Sequence, residues 1–289
     1  MRLLRAALVL ALLLVPLGAW AQQRKLVLIA GKRSHGPGDH EFRAGCLLLQ
    51  KCLAGVKGLQ VVVESEGWVA DPKVFEGAAA VALYSDGGGG NPFIQGDHKK
   101  VIGDLAQKGV GIGNMHYAVE VPKDNGGPEF LQWIGGYYEH AFSCNPMWSP
   151  EYKTFPKHPI ARGVKPFSCR DEWYMHMRFR EGMKGVTPIL VAKPSDEVRK
   201  GPYVYPKGPY EHIVAGSGQD EVMMWCVERP DGGRGFGWTG GHYHKNWGDE
   251  NYRKVVLNAL VWLCKLEVPP NGVESTVTEE DLKQNLDKK

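Results

Sequence analysis

Short β-rich apolar runs alternate with helix-length stretches from Lys25 to Met115. Lys25–Ala30 reads as a strand, Gly31–Asp39 as a Gly/Pro/Asp loop, and about His40 to Leu53 as a helix carrying Phe42, Leu47, Leu48 and Leu49. The unit recurs in the strands Leu59–Glu64, Ala79–Tyr84 and Val110–Met115, with a helix over Pro92–Lys108. Strands separated by helices must cross over before they pair, so this order predicts parallel pairing in an open sheet covered on both faces. The expected class is α/β, a three-layer sandwich around a mostly parallel open sheet.

Past Glu120 the elements shorten, at Glu129–Ile134, Tyr137–Phe142, Glu172–Phe179, Thr187–Ala192 and Glu221–Glu228, with no composition break to mark a second domain. In Asn251–Cys264, Tyr252, Val255, Val256, Ala259, Leu260 and Leu263 fall three and four apart, an apolar stripe that should dock on the sheet. One domain over residues 22–268 is expected. After Pro269-Pro270-Asn271-Gly272 the tail, residues 269–289, is polar, and Thr278 with Asp281 resembles a capping box for one short exposed helix.

Arg2 and Arg5 precede the apolar run Ala6–Trp20, and Ala19-Trp20-Ala21 ends it like a signal-peptidase site. The run holds Pro16 and spans about fifteen residues, short of the roughly twenty needed to cross a bilayer. Residues 1–21 are thus expected to be a signal peptide cleaved near Ala21, leaving a periplasmic or secreted protein with no stable membrane span. Without Arg2 and Arg5, two of the 35 basic residues, the chain nearly balances its 32 acidic ones and carries no basic patch, which argues against a nucleic-acid partner. The six cysteines, Cys46, Cys52, Cys144, Cys169, Cys226 and Cys264, are too sparse to staple a chain this long, so the core must come from burial. Cys46 and Cys52 diverge around one helix, Cys144 with Cys169 stays open as a pair, and no C-x-x-C spacing occurs.

In open α/β sheets the ligand crevice lies beyond the carboxyl ends of the strands. Three loops qualify. In Gly31–His40, turn chemistry and an N-cap account for Gly36, Pro37, Gly38 and Asp39 but not for His35 or Arg33. In Ser85–Pro92, Gly87 and Gly88 offer backbone N–H donors for an oxyanion or hydroxyl, with Asp86 as a base or hydroxyl acceptor, although a flexible turn explains the glycines equally. No G-x-G-x-x-G follows the first strand, and no Lys-Ser/Thr follows these glycines as a P-loop requires. In Gly111–Glu120 a Gly-rich strand runs into a tight turn of the kind that exposes a nucleophile, yet His116 stands there, suited to act as a general base or a metal ligand.

Two further stretches carry candidates. Asp171–Arg180 alternates, which predicts Trp173, Met175, Met177 and Phe179 on a core face. Glu172, Tyr174, His176, Arg178 and Arg180 fall on a polar face that is either solvated or binds hydroxyls. In Gly232–His244 a glycine-spaced strand precedes His242 and His244, which share a face if extended. They would hold a divalent metal with His116 or His35, or set two imidazoles over a substrate. Trp238, with Tyr243 and Trp247, would stack on a sugar ring or pack in the core.

Taken together, several of these motifs make the chain resemble the ThuA-like (trehalose-utilisation) family from about Lys25 to Val268. They are Ser34-His35, Glu41-Phe42-Arg43-Ala44-Gly45-Cys46, the Tyr84-Ser85-Asp86 glycine loop, His116-Tyr117-Ala118-Val119-Glu120, Trp133-Ile134-Gly135-Gly136-Tyr137, His158-Pro159-Ile160, Asp171-Glu172-Trp173-Tyr174 and Gly240-Gly241-His242. The resemblance implies a flavodoxin-like, class I glutamine amidotransferase-like fold and an association with catabolism of trehalose and related disaccharides, including 3-keto sugars. The chain departs from the amidotransferases at the elbow, where Asn114-Met115-His116 replaces a catalytic Cys, and no other cysteine follows a Gly-rich turn, so glutamine hydrolysis is not expected.

The leading expectation is an exported sugar-directed hydrolase, lyase or isomerase with His116, Glu172 and His242 as acid/base groups or metal ligands. His35, Asp86, Gly87, Gly88, Tyr174, His176, Arg178, Trp238 and His244 would surround a small carbohydrate. A divalent metal, if held, would sit among His35, His116, His242 and His244. The alternative is a non-catalytic carbohydrate-binding protein, and nothing in the sequence fixes the oligomeric state.

Overall fold

A computed structural model describes residues 23–289. The run Ala6–Trp20 and the cleavage position at Ala21 lie outside the described residues, within which no helix is long and apolar enough to cross a membrane. Seven strands form the central sheet: β1 (Arg24–Ala30), β2 (Leu59–Glu64), β3 (Ala78–Tyr84), β4 (Gly111–Met115), β5 (Val186–Ala192), β6 (Glu221–Glu228) and β7 (Arg234–Trp238). Their order is β5-β6-β7-β4-β3-β1-β2. The pairs among β2, β1, β3, β4 and β7 are parallel. The short link 229–233 leaves room only for a hairpin between β6 and β7, so that edge and its continuation to β5 are antiparallel.

Five helices matter to the layers: α1 (Phe42–Leu53), α2 (His98–Gln107), α3 (Gly127–Trp133), α4 (Glu250–Leu263) and α5 (Glu279–Leu282). Successive side chains of a strand point to opposite faces, and β1 obeys this: Leu26 and Leu28 pack with α1 and α4, Val27 and Ile29 with α2 and α3. Burial on both sides is why β1 reads as an unbroken apolar run rather than an alternating one. Thr278 and Asp281 form the expected capping box on α5.

Several expectations are corrected. The first helix starts at Phe42, because His40 takes φ +48 and cannot continue a right-handed helix; Glu41, not Asp39, occupies the N-cap. Pro92–Lys108 is a 3-10 turn, Pro92–Ile94, then α2, with Gly96 at φ +50 breaking the two apart. Asp171–Arg180 is not one strand: it holds only the two-residue strands Asp171–Glu172 and Arg178–Phe179, and His176 at φ +58 turns the chain between them. Trp173 and Tyr174 are therefore both buried, and the polar face is lost. All six cysteines are free, Cys144 and Cys169 included.

Candidate functional site

The parallel strands deliver their following loops to one edge. β1 ends before the segment bearing His35 and His40, β3 before Asp86, β4 before His116, and β7 before Thr239 and His242. The strand order changes direction between β1 and β3, the point at which open sheets leave a crevice. His116 sits at φ +57 immediately after β4, in the tight turn expected of an elbow. Two glycines let other loops close on that turn: a Cβ on Gly241 would lie 3.1 Å from the His116 Cβ, and one on Gly87 would strike the Tyr117 carbonyl at 1.9 Å.

Four buried side chains converge there: His40, His116, Glu172 and His242. The His40 Nε2 lies 3.0 Å from the His116 Nε2 and 3.0 Å from the His242 Nδ1. The Glu172 Oε2 lies 2.9 Å from the His242 Nδ1 and 3.5 Å from the His116 Nε2. Glu172 comes from the segment between α3 and β5, where Glu172 pairs with Met147 and Asp171 with Trp148.

The far sides of the rings fix their protonation. The His116 Nδ1–H donates to the Thr239 carbonyl at 3.0 Å, and the His40 Nδ1–H donates to Asp86 Oδ1 at 2.9 Å. A carbonyl and a carboxylate can only accept, so both rings carry hydrogen on Nδ1 and turn Nε2 inward, as a bare lone pair whenever the ring is neutral. Such lone pairs repel at contact distance unless a proton or cation lies between them. Ligand bonds of roughly 2.0–2.1 Å in a tetrahedron put ligand atoms about 3.3 Å apart, in keeping with the spacings seen.

Electrostatics set the charges. Burial raises the Glu172 carboxyl, but hydrogen bonds from His116 and His242 outweigh it and bring it down to about 2, so it is anionic. Burial, then the imidazoles of His116, His35 and His242, push His40 far below its ordinary value and keep it neutral. Burial lowers His242 too, but the Glu172 hydrogen bond and charge, with Asp171 and Asp39, leave it raised. His242 thus favours its proton, which Nδ1 can share with Glu172, while the His40–His116 Nε2 contact is left for a proton or cation to bridge; a cation would displace the His242 proton. Three imidazoles and one carboxylate suit a first-row transition ion better than magnesium or calcium.

The structure brings some of the expected residues together and separates others. Tyr174 joins, its Oη 3.5 Å from the His116 Nε2. His35 stands at the rim with its ring 3.6 Å from that of His40. Asp86 orients His40, and the Gly88 N–H is spent on the Glu120 carbonyl at 3.0 Å, so it offers no ligand cradle. His176 packs between Phe142 and His212, and Arg178 is committed to Glu139 at 2.8 Å. Trp238 is fully buried against Trp173, Trp247 and Tyr252, which removes it as a stacking surface. β7 stops at Trp238, so His242 and His244 share no strand face; His244 starts a separate 3-10 turn, and burial lowers it to about 4. The buried imidazoles that meet are therefore His40, His116 and His242, with Glu172; His35 groups with His40 and Asp86 at the rim, and His244 joins neither set. In the sequence His40 reads as the start of the first helix, and its only cue is its place at the end of a strand-end loop.

The strand order and this cluster define a flavodoxin-like α/β protein with a candidate metal or acid/base centre on its carboxyl edge. The chain belongs to the ThuA family, described as trehalose utilisation, whose model matches residues 27–263. That membership supports a carbohydrate-related role. Solved structures of similar fold include a ThuA-like protein from Bacteroides uniformis, 15% identical with a TM-score of 0.59, covering 85% of this chain and 93% of that one. Another is a ThuA-like protein from Parabacteroides merdae, 16% identical with a TM-score of 0.54, covering 91% of this chain and all of the other. Among curated proteins none matches the sequence.

Proposed function

We propose that this protein is an exported, metal-assisted enzyme that cleaves or rearranges trehalose-like or 3-keto-disaccharides. The observation that carries the reading is the convergence of inward-facing nitrogens of His40, His116 and His242 with the Glu172 carboxylate, all within 4.8 Å of one another. The export half rests on the Arg2/Arg5 and Ala6–Trp20 pattern.

A divalent ion bound there would act as a Lewis acid toward a sugar oxygen. The protein's own groups do the rest. Thr239 and Asp86 hold the ligand rings in one tautomer. His35, held below its ordinary value by burial, is neutral at pH 7 and is the base at the rim. In a 3-keto-glycoside the carbonyl acidifies the C2–H. His35 takes that proton, the C–H electron pair becomes the C1–C2 double bond, and the glycosidic oxygen leaves with the C1–O pair and acquires a proton. No flanking pair of carboxylates is needed, unlike in ordinary glycosidases. The non-catalytic alternative finds less support, since two of its three stacking residues, Trp238 and Trp247, are buried in the core and only Tyr243 is partly open.

The test is turnover of 3-keto-trehalose by the metal-loaded protein, compared with His116→Ala checked for folding by circular dichroism. Loss of turnover in the folded variant is expected; retained activity overturns the assignment.

A further inference from the structure

Among the described residues, only Tyr205, 69% exposed, and Leu286, 39%, are large hydrophobic side chains open to solvent. Tyr205 is not on a loose segment. Its N–H donates to the Asn145 Oδ1 at 3.1 Å, the Val204 N–H donates to the Asn145 carbonyl at 3.1 Å, and the Tyr203 N–H donates to the Lys207 carbonyl at 3.0 Å. Pro202, Pro206 and Pro209 further restrict the backbone on either side.

The anchor of this segment also serves the site. The Asn145 Nδ2–H donates to Glu172 Oε1 at 2.8 Å, the oxygen opposite the one that faces the histidines. One asparagine thus ties the backbone of the exposed tyrosine to the carboxylate of the cluster. The Tyr205 ring lies 5.9 Å from that of His140. The Tyr117 ring lies 6.2 Å from that of His40, and its phenol is pushed up to about 12 by burial, then by Glu120. An aromatic face held out to water and tied through Asn145 to a cluster of histidines and a carboxylate matches a pyranose, which offers an apolar C–H face and a rim of hydroxyls.

We propose that Tyr205 is a stacking platform for the second sugar ring of a disaccharide, the ring that leaves when the one at the cluster reacts. The inference rests on the sugar-directed reading above and adds the size of the substrate: two rings, with the platform gripping the outer one. A pyranose stacked on Tyr205 is held in register with Glu172 through Asn145.

The experiment measures steady-state kinetics of the metal-loaded full chain on 3-keto-trehalose, with metal content on the same samples. Tyr205→Ala should raise KM about tenfold while kcat falls less than about threefold and metal content holds; Tyr205→Trp should recover most of the affinity. A Tyr205→Ala KM within about twofold of wild type overturns the platform while leaving the reaction standing. If wild type turns over no 3-keto sugar, the reaction fails instead, and calorimetry with unoxidised trehalose reads the platform alone. Binding lost in Tyr205→Ala supports the platform; equal binding, or none to wild type, overturns it.

Discussion

Asp171 accepts the backbone N–H of His242 at 3.1 Å, while the next acid along the chain, Glu172, meets the imidazole of the same histidine at 2.9 Å. Asp171 also accepts from the Gly241 N–H at 3.0 Å, the Tyr243 N–H at 3.3 Å and the Tyr252 hydroxyl. Adjacent carboxylates therefore divide the work: one fixes the loop that carries His242, and the other faces the cluster.

This division separates two variants. Asp171→Ala strands several buried donors and should cost about 3 kcal/mol or more in urea unfolding. Glu172→Gln should stay folded yet lose bound metal. Equal stability loss in both would contradict the separate roles.

Removing an inner ligand should cost more than removing an outer one. His40→Ala is expected to weaken zinc binding more than about 100-fold in a chelator competition, and Asp86→Asn about 10-fold, because Asp86 only orients the ring. An Asp86→Asn effect as large as that of His40→Ala would show that Asp86 is itself a ligand.

Glu120 gives a pH signature. Burial, then the Glu172 charge, raises its carboxyl from 4.5 to about 8. Between those values the unfolded chain has lost this proton and the folded chain has kept it. The group's contribution to stability is therefore greatest below pH 4.5 and declines as pH rises through about 8. Glu120→Gln removes this cost, so it should exceed wild type by roughly 4 kcal/mol at pH 8 and converge with it near pH 4.5, measured by urea unfolding at each pH.

The tail braces the site loop. The Lys289 Nζ lies 3.3 Å from the buried Glu41 Oε1, and the Asp287 N–H donates to Glu41 Oε2 at 2.7 Å. Lys289→Met leaves that carboxylate without its cation and should destabilise by about 3 kcal/mol; adding Glu41→Gln should restore part of the loss. A double variant no more stable than the single one would contradict the pairing.

Much of the fold was legible because parallel strands buried on both faces write themselves as apolar runs, as in Leu26 to Ile29. The rule that ligands gather at strand ends found His35, Asp86, His116 and His242 for the same reason. It missed His40, because a positive φ leaves no trace in residue type, and a histidine before a helix looks like part of it. It also missed Asn145 and Tyr205. Their partnership spans 60 positions and Asn145 reaches Glu172 across 27, and no periodicity encodes such contacts. Trp238 could equally have been core or platform from sequence, and the rings of Trp173, Trp247 and Tyr252 around it settle the matter.

The central claim is that His40, His116, His242 and Glu172 hold one ion needed for sugar chemistry. The direct measurement is elemental analysis of wild type and Glu172→Gln, with turnover of 3-keto-trehalose before chelation, after it, and on restoring the ion. The account predicts about one transition-metal ion per wild-type chain and almost none in the variant, with activity that disappears and returns with the ion. Full activity in thoroughly metal-free wild type, or equal metal in both proteins, would contradict it.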